Sequence, residues 1–189
     1  MNYTPKDYAK LLGTPGFSDT LLKNHFTLYQ GYVANTNKVL DLLGLAAKDG
    51  KTGTPEYAEL KRRLGWEFNG MRLHELYFEN LGGTKPLAAF PAVEKKLAAA
   101  FGSAADWEKD FRASGTMRGI GWVVLYKDGD RLKNFWVNEH DVANPAGCAP
   151  ILVMDVFEHA FMVDYGLKRA DYVEAFLKNV NWEAVAARI

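Results

Sequence analysis

A chain of 189 residues, 48% hydrophobic and 13% aromatic, can bury a sizeable core, as one compact unit or as two small halves sharing it. Lys plus Arg equals Asp plus Glu at 23 each, so no overall field draws the chain to nucleic acid or to an anionic membrane. The single cysteine, Cys148, excludes an internal disulfide, and no run approaches the ~20 apolar residues of a membrane span.

The first residues are polar, with Asp7 and no apolar stretch, so no signal peptide is expected and the cytoplasm is the expected compartment. Gly13, Pro15 and Gly16 break residues 1–19 into an extended lead-in with a short turn, and Ser18 or Asp19 is placed to cap a helix starting next to it. From Thr20 to about Leu45, apolar residues recur at steps of three and four, from Leu21 and Leu22 through His25, Phe26, Tyr29, Tyr32, Val33 and Thr36 to Val39, Leu40 and Leu43. Asp49 to Pro55 is a loop in which Thr54 reads as an N-cap and Pro55 as the first helical residue. A second helix runs from there to about Leu81, with His74 on its apolar stripe. Gly65 and Gly70 either weaken it or let a neighbour come close. Two long helices joined by a short loop predict an antiparallel hairpin, across which His25 and His74 could meet.

Gly82-Gly83-Thr84-Lys85-Pro86 is the clearest boundary. It predicts domains at 1–83 and 84–189. Short helices are expected over Pro91–Phe101 and from Ala104 to about Arg118. Gly119-Ile120-Gly121 then resets the pattern: Trp122–Tyr126 reads as a strand, Lys127–Asp130 as a turn, and Arg131–Val137 as the return strand. The glycine pair precedes a strand rather than a helix, so it is no nucleotide fingerprint. His140 falls in the polar stretch after the return strand, and Cys148 in a turn-rich loop where it reads as a bystander. A third, buried strand, Ile151–Met154, ends at Asp155, and the chain then returns to helix with Tyr172, Val173, Phe176, Leu177, Val180, Trp182 and Val185 facing inward.

Asp155 closes a strand and His159 stands four residues on, so both can face one point. The pair is two-thirds of a 2-His-1-carboxylate site, a donor set that suits redox-active iron and its neighbours. A His on an apolar stripe also occurs simply as a satisfied core residue. Taken together, however, His25, His74, His159 and Asp155 suit iron, manganese or zinc, and the lack of cysteine ligands argues against structural zinc. Tyr32 and His140 are candidate donors around such a metal.

From Asp155 to Trp182 the chain closely resembles the iron/manganese superoxide dismutase family, and the resemblance extends over nearly the whole length. Asp155-Val156-Phe157-Glu158-His159-Ala160 is similar to the family's Asp-Val-Trp-Glu-His-Ala signature. Asp164-Tyr165, Arg169, Asp171-Tyr172, Phe176 and Val180-Asn181-Trp182-Glu183 match its tail, Gly119-x-Gly121-Trp122 its strand entry, His74 to Leu81 its second-ligand helix, and Tyr32 to Asn37 its Tyr-Val-x-x-x-Asn segment. The resemblance implies an α+β fold: an N-terminal antiparallel helical hairpin, then a small domain with a three-stranded antiparallel sheet flanked by helices. It implies dismutation of superoxide at mononuclear iron, or manganese, held by His25, His74, His159 and Asp155, with Tyr32 gating the metal. It also implies a homodimer with Glu158 at the interface.

Four departures accompany it. The family's first ligand stands eight residues before the gating Tyr, where this chain has Asn24. His25 is one residue off, about 100° on a regular helix, a shift that a difference in a local helical bulge could absorb. Gly70 and His140 occupy the two positions from which the family brings Gln to the metal. Some iron-using members carry His at the second, which makes His140 a donor to bound water and to Tyr32 and favours iron. Leu28 and Met162 replace a His–Tyr pair that bonds across the family's dimer interface, and Phe157 replaces a Trp. These departures also admit a dismutase-like scaffold without activity as the alternative.

Overall fold

The computed structural model describes residues 2–189. The lead-in is irregular, with one 3-10 turn at Ala9–Leu11 and further turns before Phe17, and it lays Tyr8, Leu11 and Phe17 against the core. Helix α1 spans Asp19–Lys48 and α2 spans Pro55–Glu79. Ser18 Oγ accepts from Leu21 N at 3.0 Å and Thr54 Oγ1 from Tyr57 N at 3.3 Å. Each cap satisfies one of the N–H groups a helix start leaves unpaired. The helices form the expected hairpin. α1 is α-helical from end to end, so no bulge lies in this chain's own helix; seven residues make nearly two whole turns, and His25 and Tyr32 share one stripe. Leu40, expected on the buried face, is 38% exposed instead.

Helices α3, Pro91–Phe101, and α4, Ala104–Gly115, lead into the sheet. Its strands are β1, Gly121–Asp128; β2, Arg131–Asn138; and β3, Ala149–Asp155. They lie antiparallel in the order β2-β1-β3. The β1–β2 pairing runs on to Asp128 opposite Arg131, which shortens the turn to Gly129 and Asp130, with Gly129 at φ 57°. Gly121 is required where β1 begins, because a Cβ there would stand 2.0 Å from the Val137 carbonyl oxygen. Central β1 is buried from Gly121 to Tyr126, and Trp122 is paired with Asp155.

After Asp155 the chain turns into α5, Met162–Tyr165; α6, Arg169–Lys178; and α7, Trp182–Arg188. Tyr172 Oη on α6 donates to the Asp155 carbonyl at 2.6 Å, anchoring the end of β3. Asn80, just past α2, accepts from Val153 N of β3 at 3.0 Å. The hairpin and the sheet therefore meet at the end of β3.

Candidate metal centre

The four side chains singled out in the sequence converge. One ligand atom from each of His25, His74, Asp155 and His159 lies within 4.8 Å of all the others, an arrangement that could hold a metal ion. Asp155 Oδ2 is the focus, with Nε2 of His159 at 3.1 Å, of His25 at 3.2 Å and of His74 at 3.6 Å. The other oxygen, Oδ1, accepts from Phe157 N at 2.8 Å, which turns Oδ2 toward the imidazoles. α1 supplies His25, α2 supplies His74, β3 supplies Asp155, and the turn after β3 supplies His159.

His74 tests whether this set fits a cation. Its Nδ1 stands 2.6 Å from the Gly70 carbonyl oxygen. A carbonyl only accepts, so Nδ1 carries the proton and Nε2 is left with a lone pair. That Nε2 is buried and meets no hydrogen-bond partner, and it faces the carboxylate oxygen. Two acceptor atoms confronting each other in a dry interior repel unless a cation lies between them. Burial, reinforced by His25, pushes His74 well below the ordinary imidazole value, and burial lowers His25 against the pull of Asp155. Burial alone would raise the Asp155 carboxyl. His159 and the hydrogen bonds to His159 and His25 outweigh it and hold the group well below the usual carboxylate range. Three imidazoles with an ionised carboxylate are the donor set of a mononuclear transition-metal site.

An aromatic wall surrounds the four. Tyr32 stacks on His74 with centroids 5.1 Å apart, Phe157 stacks on His159 at 5.1 Å, and Trp122 meets His74 edge-on at 4.9 Å. Behind the wall, His140 is fully buried. Trp122 Nε1–H donates to His140 Nδ1 at 3.1 Å. An indole can only donate, so the neutral imidazole keeps its proton on Nε2 and gives it to Tyr32 Oη, 2.7 Å away. The Tyr32 hydroxyl proton is therefore free for another acceptor. Burial, with Asp155 and Glu67 adding to it, raises the phenol to about 12. Asn144 holds the loop by donating to the His140 carbonyl at 3.1 Å and accepting from Tyr126 Oη at 3.0 Å.

All six sequence-predicted residues thus lie in one neighbourhood, His140 buried rather than in an exposed loop. The partners Trp122 and Asn144 were not anticipated. Trp122 was read only as a strand entry, and no spacing signal links it to His140, because the β1–β2 pairing and the turn after β2 create the contact. Gly70 turns out to make room for a ring: a Cβ there would stand 2.5 Å from Tyr32 Cδ1. That position cannot carry a Gln while Tyr32 lies there.

Three imidazoles and one carboxylate converging inside an α+β scaffold define a mononuclear metal-binding protein of the redox type. The family model described as iron/manganese superoxide dismutases, C-terminal domain, matches residues 89–188. The chain is 34% identical to an iron superoxide dismutase of Aquifex pyrophilus over 97% of this chain and 89% of that protein. It is 37% identical to one of Cupriavidus metallidurans over 92% and 88%, and 34% identical to a manganese superoxide dismutase of Haloferax volcanii over 97% and 92%. The chain belongs to the iron/manganese superoxide dismutase family, a family of oxidoreductases. Its relatives include proteins named for each of the two metals.

Proposed function

We propose that the chain converts superoxide to molecular oxygen and hydrogen peroxide at a mononuclear iron, or manganese, held by His25, His74, His159 and Asp155. The observation that carries this reading is the buried lone pair of His74 Nε2 aimed at the same point as Asp155 Oδ2. The metal, when bound, supplies a one-electron couple that oxidises one superoxide and reduces the next. Asp155 supplies the negative charge that favours a high-valent cation, and the Gly70 carbonyl fixes the His74 tautomer that binds it. Reducing superoxide to peroxide consumes protons. Tyr32 Oη keeps its own proton available because His140 Nε2 donates to it rather than accepting from it. Trp122 maintains that direction by occupying Nδ1.

The working unit on this reading is a homodimer. Glu158 is exposed, the adjacent His159 keeps 27% of its side chain open, and Met162 and Val163 lie exposed beside them. A second copy on this face would close the ligand set off from water. The division into domains at 1–83 and 84–189 is supported by the start of the C-terminal-domain match at residue 89. The lone free thiol of Cys148 suits a reducing compartment such as the cytoplasm, and no described helix is long and apolar enough to cross a membrane.

The test is a superoxide-consumption assay on iron-loaded, manganese-loaded and metal-free protein. Consumption in at least one loaded form and none in the metal-free form is expected. Full loading with both metals and no consumption would leave the inactive scaffold as the reading.

A further inference from the structure

Outside the metal centre, the buried polar atoms without a partner among the described residues are Asn80 Nδ2, at the end of α2, and one on each of the two facing helices. Glu67 of α2 is 2% exposed and Thr36 of α1 is 0% exposed. Glu67 Oε2 and Thr36 Oγ1 meet no hydrogen-bond partner among the described residues. The cause on the Glu67 side is visible. Arg63 directs both Nε and Nη2 at the same carboxylate oxygen, Oε1, at 2.8 and 2.6 Å, and leaves Oε2 turned inward. Thr36 would ordinarily bond back to the carbonyl one turn earlier in its helix, and it does not.

The contacts along the hairpin give the rung on which the two residues fall. His25 meets Phe78 with centroids 5.0 Å apart, Tyr29 Oη donates to Glu75 Oε1 at 3.0 Å, and the Tyr32 ring lies against Gly70. The next step of the same ladder, four residues on in α1 and three back in α2, sets Thr36 against Glu67. A carboxylate oxygen can only accept, whereas a hydroxyl both donates and accepts. Two buried atoms of these types on one rung that do not bond directly are the pattern that an internal water completes, since such a water needs about two to four polar partners.

We infer that Thr36 and Glu67 hold one water between α1 and α2, and that Glu67 is through it a positioning residue for Tyr32. Tyr32 is one turn from Thr36 on α1, and its ring has no slack against Gly70, one turn from Glu67 on α2. The spacing of the two helices at this rung therefore sets where the Tyr32 hydroxyl meets His140. The charge of Glu67 is also felt at the Tyr32 phenol, after burial and Asp155. The functional importance of this placement rests on the dismutase reading, whereas the water and the ring position do not.

The test uses the full chain. A crystal structure fine enough to show ordered water is expected to place one within hydrogen-bond distance of both oxygens. A direct Thr36–Glu67 hydrogen bond, or no density there, would overturn the inference. A second measurement is 19F NMR of protein labelled with 3-fluorotyrosine, with the Tyr32 line among the nine tyrosines assigned from Tyr32→Phe. Thr36→Val and Glu67→Leu are expected to shift the Tyr32 line by more than its width and leave the lines of tyrosines remote from this rung in place. Glu67→Gln, which can still hold a water, is expected to restore it. An unmoved Tyr32 line in Thr36→Val would refute the inference even if Glu67→Leu fails to fold. This readout needs no dismutase activity, so its failure is distinct from a failure of the proposed function.

Discussion

Gly70→Ala should damage the centre without touching a metal-binding atom. The new Cβ would stand 2.5, 2.7 and 3.0 Å from Cδ1, Cε1 and Cγ of Tyr32. Ordinary carbon contacts lie at ~3.5–4.0 Å, so the ring must retreat by about 1 Å. That carries Tyr32 Oη, now 2.7 Å from His140 Nε2, beyond hydrogen-bond range. Overpacking of this kind costs ~1–3 kcal/mol and the lost bond about 1 kcal/mol. Replacing Gly by Ala in a helix returns about 1 kcal/mol. The net destabilisation is about 1–3 kcal/mol, a fall in Tm of ~2–12 °C for a chain of this size. Gly65→Ala in the same helix is the internal control. Its Cβ would meet nothing closer than Asp141 at 3.9 Å, so only the helix-propensity gain of up to about 1 kcal/mol remains. Thermal unfolding of the two metal-free variants against the parent should move Tm in opposite directions. A Gly70→Ala protein as stable as the Gly65→Ala protein would refute the reasoning.

His74→Ala and Asp155→Ala should each abolish metal retention after expression in iron- or manganese-supplemented medium, read as metal per chain; a full complement in either variant would misplace the site. Trp122→Phe removes the donor to His140 Nδ1, which frees the imidazole to reverse its tautomer. It should cost ~1–3 kcal/mol for the buried nitrogen left unpaired and slow superoxide consumption while metal content stays at the parent level. Unchanged consumption would mean that Trp122 does not set the direction of the His140–Tyr32 bond. Burial pushes His140 down to about 4, whereas an unfolded imidazole titrates near ~6.5. Below that pH the unfolded chain takes up a proton that the native state refuses, so this contribution to stability falls as pH drops from 6.5 toward 4. Urea unfolding of metal-free protein should therefore show the parent losing about 2 kcal/mol more than His140→Gln between pH 8 and pH 5. Equal losses would mean that His140 is not held neutral.

The elements were legible because burial imposes a period. Steps of three and four mark α1 and α2, Thr54-Pro55 marks a helix start, and the unbroken run Ile151–Met154 marks a strand buried on both faces. Asp155 and His159 were legible as a local pair, and His25 and His74 as imidazoles on apolar stripes. The offset of His25 from the family's position goes with a helix that is unbroken in this chain, where a seven-residue step brings His25 onto the Tyr32 stripe. The features that stayed illegible depend on contacts between elements. The Trp122–His140 bond arises from the turn after β2, the fit of Tyr32 against Gly70 from the separation of two helices, and the burial of Tyr8, Leu11 and Phe17 from a lead-in with no periodicity to read. Leu28 and Met162 were readable as substitutions, but no contact between them is set by the sequence alone.

The most direct test of the central claim is the decay of superoxide followed by pulse radiolysis on protein whose bound iron or manganese has been counted. Fast catalytic decay, first order in bound metal and lost in His74→Ala, is the predicted result. Decay no faster than that of the metal-free chain, at full loading with iron and again with manganese, would contradict it.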